Sequence, residues 1–186
     1  MLLLIALAVG CSSGQTKPKP APPTATDLVA APIPAGREGS PKAALPDLGK
    51  VNGADPSAVA GAALATIWTI DTTLDASRYD AEKRAVQLYT PQRAAGLHEV
   101  SPRAVPGADW AVWAAHQAYT TVAVQQSHED GGPEDGPTLL HQRWVVTVTP
   151  HGRDGWTGQA GLTIAFVTLT RADTTQPWRL DTLTIG

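Results

Sequence analysis

The sequence has a single cysteine, Cys11, and that scarcity excludes more than any other feature. One thiol forms no intramolecular disulfide, so no disulfide framework holds this chain, and no multi-cysteine metal site is available. Charge is also sparse. Charged residues make up 17% of the chain and the net charge is -3, with acidic and basic positions interspersed. A nucleic-acid partner needs a basic footprint, and none exists. Long apolar runs are missing too, because the stretch from Leu2 to Gly10 falls far below the ~20 residues a helix needs to cross a bilayer. No Gly-rich phosphate loop follows a predicted strand and no G-x-S-x-G nucleophile motif occurs. Phenylalanine occurs once and tryptophan six times, so the aromatic share of a core falls on indoles.

What is there begins at the amino terminus, MLLLIALAVGCSSG. The apolar run has the length of the hydrophobic core of a secretion signal, ~7–15 residues ending at small side chains. Ala8, Val9 and Gly10 leading into Cys11 resemble the lipobox of bacterial lipoproteins. That resemblance implies cleavage between Gly10 and Cys11, a diacylglycerol on the Cys11 thiol, and a mature chain held by lipid on the extracytoplasmic face of the cell membrane. The covalent lipid is the sole cofactor expected. Met1 is followed directly by Leu2 where a signal carries Lys or Arg, so the true start is expected upstream.

Residues Ser12 to about Lys50 are rich in Pro, Ala, Gly and Ser, without the apolar periodicity that buries surface, and read as a tether. Lys17 to Pro23 favours extended polyproline geometry at ~3.1 Å per residue. Two lysines there are too few for a polybasic lipid-binding patch. The folded part is expected over residues 52–186, one ordinary domain.

Helices come first. Asp55-Pro56 is an N-cap and first-turn pair, and Val59, Ala63, Ile67, Ile70 and Leu74 recur at helical spacing, predicting a long first helix. Ser77 with Asp80 resembles a capping box for a second helix through Ala81, Ala85, Leu88 and Tyr89; Thr90-Pro91 interrupts it and starts a short turn through Leu97. His98 to Gly107 reads as loop. Asp109 is placed as the cap of a short helix carrying Trp110, Trp113 and Ala114. The period then becomes alternating, predicting strands at 119–126, 138–149, 157–170 and 178–185. Leu140, Trp144, Val146 and Val148 share one side of the second strand, opposite His141, Arg143, Thr147 and Thr149. Leu162, Ile164 and Phe166 are read as the covered face of the third. The fold class expected is α+β, with N-terminal helices packed on one face of a curved four-stranded antiparallel sheet.

Helices followed by four meandering strands, the last opened by Trp178, Leu180 and Thr182, resemble the cone-shaped fold of the nuclear-transport-factor-two-like superfamily. The resemblance spans Asp55 to Ile185 and is architectural. It implies kinship with periplasmic assembly-factor domains of type IV secretion and conjugation machines, hence protein partners in an envelope complex and no enzymatic activity. High Ala, Gly and Pro with few Lys are the usage of a high-GC bacterium such as an actinobacterium.

Chemical candidates are few. His128, Glu129, Asp130, Glu134 and Asp135 form an acidic cluster, but their spacing misses the calcium-loop pattern and a solvated hairpin explains them better. His128 and His141 face one another across that hairpin without a third ligand, so no metal is expected. Enzymes of the cone fold place a titratable group inside the pocket, where burial shifts its pKa. Asp71, at the border of the apolar stripe, and Tyr119 are the candidates; a solvated or capping role for Asp71 is the simpler reading. Trp110 and Trp113 either line the mouth of a pocket, offering a small-ligand or partner contact, or belong to the core. Trp68 and Trp144 are assigned to the core.

Overall fold

The computed structural model describes residues 36–99, 108–128 and 132–186. The signal and lipobox, the proline-dense segment, the loop residues 100–107, and Glu129 and Asp130 lie outside the described residues.

Helix α1 (Pro56–Trp68) opens on Asp55, whose carboxylate accepts from the Ser57 and Ala58 backbone N–H groups, with Pro56 at the first turn. This is the capping chemistry that satisfies orphan amides at a helix start. The helix ends at Trp68, not at Leu74 as the apolar spacing predicts. A run of β-branched residues follows (Thr69, Ile70, Thr72, Thr73), and these resist helical χ1 geometry. A better set of partners lies across the chain. The buried Thr120 hydroxyl donates to the Trp68 carbonyl at 2.6 Å and accepts from the Ile70 N–H at 2.8 Å, converting the segment into an extended one. Ile70 is buried, as its apolar character predicts, but outside the helix.

Helix α2 (Arg78–Lys83) follows a loop. The proposed capping box is not formed. Ser77 makes no side-chain cap, and Asp80 accepts instead from the Ala76 and Gly36 N–H groups at 2.9 and 3.1 Å. A 3-10 turn at Val86–Leu88 leads to α3 (Pro91–Glu99), which runs two residues past the expected end at Leu97 and takes in His98 and Glu99, read from the sequence as loop. Helix α4 (Ala108–Ala115) holds Asp109 in its first turn rather than at its cap.

Strands β1 (Tyr119–Ser127), β2 (Leu139–His151), β3 (Gly161–Thr170) and β4 (Arg179–Ile185) form one antiparallel sheet in chain order. The fold is thus α+β, with helices packed against a curved four-stranded sheet. Residues 157–160 do not join β3; they contribute only a bridge from Thr157 to His151. A bulge between Thr168 and Leu169 marks the β3–β4 pairing.

The core lies between α1 and the inner sheet face. Trp144 stands there in register with Ala165, so a large side chain on one strand meets a small one on the next. Helix α1 comes down on the indole at Gly61, where even a Cβ would stand 3.4 Å from the ring. Such size matching is what close packing demands. On β3 the inner residues are Ala165, Val167 and Leu169. This reverses the expected face: Leu162 and Phe166 are 67% and 41% exposed and point outward with Ile164. Both alternations on this strand are apolar, so periodicity alone did not choose between them. Residues before 52 also contribute, since Pro41 is buried and Leu48 and Val51 pack against the core.

The face assignment is checked by equilibrium urea unfolding of two variants. Leu169→Ala should cost about 2–5 kcal/mol as a core truncation, whereas Leu162→Thr should stay within about 0.5 kcal/mol. Reversal of that ranking would contradict the observed register.

Candidate functional site

Two features stand at the end of the domain where α1 stops: a buried carboxylate network and an aromatic cleft. They are adjacent but distinct.

Asp71 is fully buried. Its Oδ2 accepts from the Lys42 N–H at 2.9 Å and from Arg153 Nη2 at 2.7 Å; its Oδ1 accepts from the Thr73 N–H at 3.1 Å and hydroxyl at 2.8 Å. Its own N–H donates to Asp75, whose carboxylate is gripped by Arg84 at 2.6 and 2.9 Å. The sequence reading of Asp71 as a solvated or capping group is therefore corrected: β-bridging to Tyr119 draws it inward. Burial raises its pKa, but the Arg153 guanidinium and the amide and hydroxyl donors outweigh burial and hold the carboxyl below its ordinary range. A carboxylate so held stays ionised at neutral pH and is a poor proton acceptor. Tyr119 is likewise engaged, with Lys42 Nζ 4.8 Å above its ring and the Arg153 guanidinium at 5.8 Å.

Arg153 sits in the β2–β3 connection. Besides Asp71 it donates to the Gln117 carbonyl, and its N–H donates to the His116 carbonyl at 3.1 Å. Gln117 is the left-handed residue that closes α4, with φ of 47°. Its N–H donates to Ala114 O and the Ala118 N–H to Trp113 O, the paired bonds of a Schellman termination. One side chain thus ties three separated segments together: the exit of α1, the end of α4 and the β2–β3 turn.

Those ties shape the cleft. A cavity of about 750 Å³ lies between α4 and the β2–β3 connection, lined by Trp68, Trp110, Trp113 and Trp156. Trp110 and Trp113 stand 6.5 Å apart with rings tilted at 36°. Both are half-buried, and Trp113 also packs against the core, so the pair spans the two roles proposed for it. Trp68 is buried as expected yet forms the cleft floor, with the Arg78 guanidinium 5.4 Å above its ring. Trp156 reaches in because Gly158 leaves space; a Cβ there would meet its ring. Its other face stacks on His116 at 4.4 Å with an interplanar angle of 1°. His116 Nδ1 lies 2.7 Å from Asp154, and that hydrogen bond, with one from the Trp156 N–H, lowers the Asp154 pKa. Val112, beside these rings, is 48% exposed. The polar side chains of the lining are Arg78, Asp109, Gln159 and Thr163, the first two charged and of opposite sign. Asp71 and Tyr119 do not reach the cavity lining.

At the opposite hairpin, His141 donates its backbone N–H to Asp135 at 2.8 Å. Among the described residues no group of three or more His, Cys, Asp or Glu side chains is arranged to hold a metal. Among them, too, no helix is long and apolar enough to cross a membrane. Trp156 and Arg153 were not singled out from the sequence; no local motif marks either, because their partners are remote in the chain.

No protein family matches this chain. No curated protein matches it either. Among solved structures, an IcmL-like type IV secretion system protein from Legionella pneumophila is similar over 77% of this chain and 94% of its own length, with a TM-score of 0.44 and 12% identity.

The ion pair sets a pH dependence. A folded-state pKa below the unfolded value contributes stability that is complete above the unfolded value, near 3.8, and lost as pH falls through the folded one. Asp71→Asn should therefore cost about 3 kcal/mol near pH 6, the order expected when a buried charge pair is broken. The difference from wild type should shrink as pH falls below 3.8, where the unfolded chain's carboxyl takes up its proton while the native one still resists, and should vanish once pH has passed the lower native value. Urea titrations at pH 6 and pH 3 measure both; a pH-independent difference would contradict the assignment.

Proposed function

We propose that this chain is a lipid-anchored, non-enzymatic interaction module on the extracytoplasmic face of a bacterial membrane, serving an envelope assembly of the conjugation or type IV secretion kind. The observation that carries the contact role is the open cleft of four tryptophans with exposed Val112 at its edge. Tryptophan offers large contact area at little cost in side-chain entropy, and aromatic residues concentrate where partners bind most tightly. The non-enzymatic part rests on Asp71, the strongest acid–base candidate, whose carboxylate is occupied by four donors and lowered in pKa. The anchor rests on Ala8-Val9-Gly10-Cys11 and on the proline-dense residues that separate Cys11 from the domain. A small-ligand reading is favoured by the cavity volume, about 750 Å³, which lies within the ~300–1,000 Å³ of typical ligand pockets.

Two substitutions separate the components of the proposal. Cys11→Ser should move the protein from the membrane fraction to the soluble fraction, or block processing, as read by fractionation and intact mass. Trp110→Ala should leave fractionation unchanged while lowering the yield of crosslinked membrane partners by about tenfold, in line with loss of one contact hot spot. An unchanged partner yield would remove the cleft from the contact role, and partner loss replaced by loss of a copurifying small molecule would favour the ligand reading.

A further inference from the structure

The sheet ends on β1, and most of the edge it leaves is open. We infer that this edge is an interface with a second copy of the chain: the two β1 strands pair antiparallel about a two-fold axis at Val124, joining two four-stranded sheets into one of eight.

Three observations lead there. The first is the direction of the backbone groups. Residues 70–72 cover the start of the edge, where the Thr120 N–H donates to Ile70 O and the Thr72 N–H to Ala118 O, both at 2.9 Å. Backbone groups alternate between the two sides of an antiparallel strand. Thr120 faces away from β2, so Val122, Val124 and Gln126 turn their N–H and C=O groups outward as well. Among the described residues, none of these groups has a partner on that side, since β1 pairs with β2 alone. Val124 is the midpoint of the open stretch, residues 121–127. The second is the lack of edge protection. Exposed edges are ordinarily blunted by charge, proline or a bulge. Residues 118–127 hold no charged residue and no proline, and the register with β2 is unbroken. The opposite edge is defended: the Thr90 N–H donates to Leu180 O at 3.0 Å, and β4 carries Arg179 and Asp181. The third is a core row that β1 leaves unfinished. Val146 and Val148 are 0% and 8% exposed, yet their cross-strand partners Val124 and Val122 are only half-buried. The α1 residue facing Val124 is Gly61, so the helix adds no side chain there.

A two-fold at Val124 uses the whole open stretch. Val124 faces the partner's Val124, Val122 the partner's Gln126, Ala123 the partner's Gln125 and Thr121 the partner's Ser127. The outward-turned residues exchange N–H and C=O bonds reciprocally, as an isologous contact requires. Pairing stops where Ile70 closes the edge. No like charges meet in this register, and the strand carries no charge that would select a different partner, so the edge is complementary to itself. Val124 against its counterpart completes the unfinished row. Seven residues a side at ~3.4 Å each make a contact ~24 Å long. That is small beside a standard interface of ~1,600 Å², so the dimer is weak and reversible.

The test pairs singly substituted full chains in intact cells under a mild oxidant. Ala123→Cys in one copy and Gln125→Cys in the other place thiols at a directly opposed pair without backbone hydrogen bonds, the closer of the two pair types. Expressed together, they should give a disulfide-linked dimer of this chain about fivefold above either variant alone, because only the mixed pair is directly opposed. The unsubstituted chain controls for Cys11. Two differently tagged copies should also be recovered together. Ala123→Lys with Gln125→Lys, both at exposed positions, should cut that recovery about tenfold by setting like charges opposite one another. Ala123→Glu with Gln125→Glu should do the same, and one copy of each kind should restore it. No excess of the mixed cysteine pair over the single variants, recovery that survives the like charges, or no restoration by opposite charges overturns the inference. Crosslinking of Ala123→Cys to a different protein also overturns it and assigns the edge to a strand of that protein. Each of these failures leaves the Trp110→Ala result standing, because no β1 residue lines the tryptophan cleft.

Discussion

The structure depends on one buried carboxylate. Asp71 is placed just past the end of α1, beyond the reach of water, and its charge is tolerable only because four donors from three places in the chain converge on it. A buried ion without partners would cost several kcal/mol. The requirement for partners is what orders the surroundings: it fixes Lys42 of the incoming chain, the turn at Thr73 and Arg153 of the β2–β3 connection in one arrangement. Asp75 and Arg84 extend the same network, and Arg84 Nη2 also donates to the Thr69 carbonyl at 2.6 Å. Polar networks of this type specify a geometry more than they add stability.

The cleft follows from that geometry. Arg153 reaches the backbone at His116 and Gln117 as well as Asp71, so it holds the end of α4 against the β2–β3 connection. Trp113 and Trp156 are carried on those two elements, and the His116–Trp156 stack bridges them. The aromatic walls are therefore positioned by a polar anchor that does not itself line the cavity.

Much of the fold was legible because its signals were local. The Asp55-Pro56 start of α1, the alternation of Leu140, Trp144, Val146 and Val148, and the burial of Trp68 and Trp144 rest on neighbouring residues and on period. What failed did so where a remote partner decided. Ile70 and Leu74 continue the helical spacing of α1, yet the Thr120 hydroxyl, fifty residues away, takes the Trp68 carbonyl and ends the helix. On β3 both faces are apolar, and the choice fell to Trp144 on the neighbouring strand, which needs Ala165 rather than Phe166 beneath the helix. Asp71 was visible as a candidate but not as an ion pair, because Arg153 lies 82 positions along the chain. Trp110 and Trp113 were visible as a pair; the other cleft wall, Trp156, depends on Gly158 and His116, which no short pattern connects to it.

The central claim, that the Asp71–Arg153 pair holds the cleft in shape, is tested most directly by a double-mutant cycle of Asp71→Asn and Arg153→Met, read by stability and by the ring-current shifts of His116 and Trp156. The account predicts a coupling energy above about 1 kcal/mol, with the stacking shifts lost in either single variant. Additive stabilities with the stacking intact in all variants would contradict it.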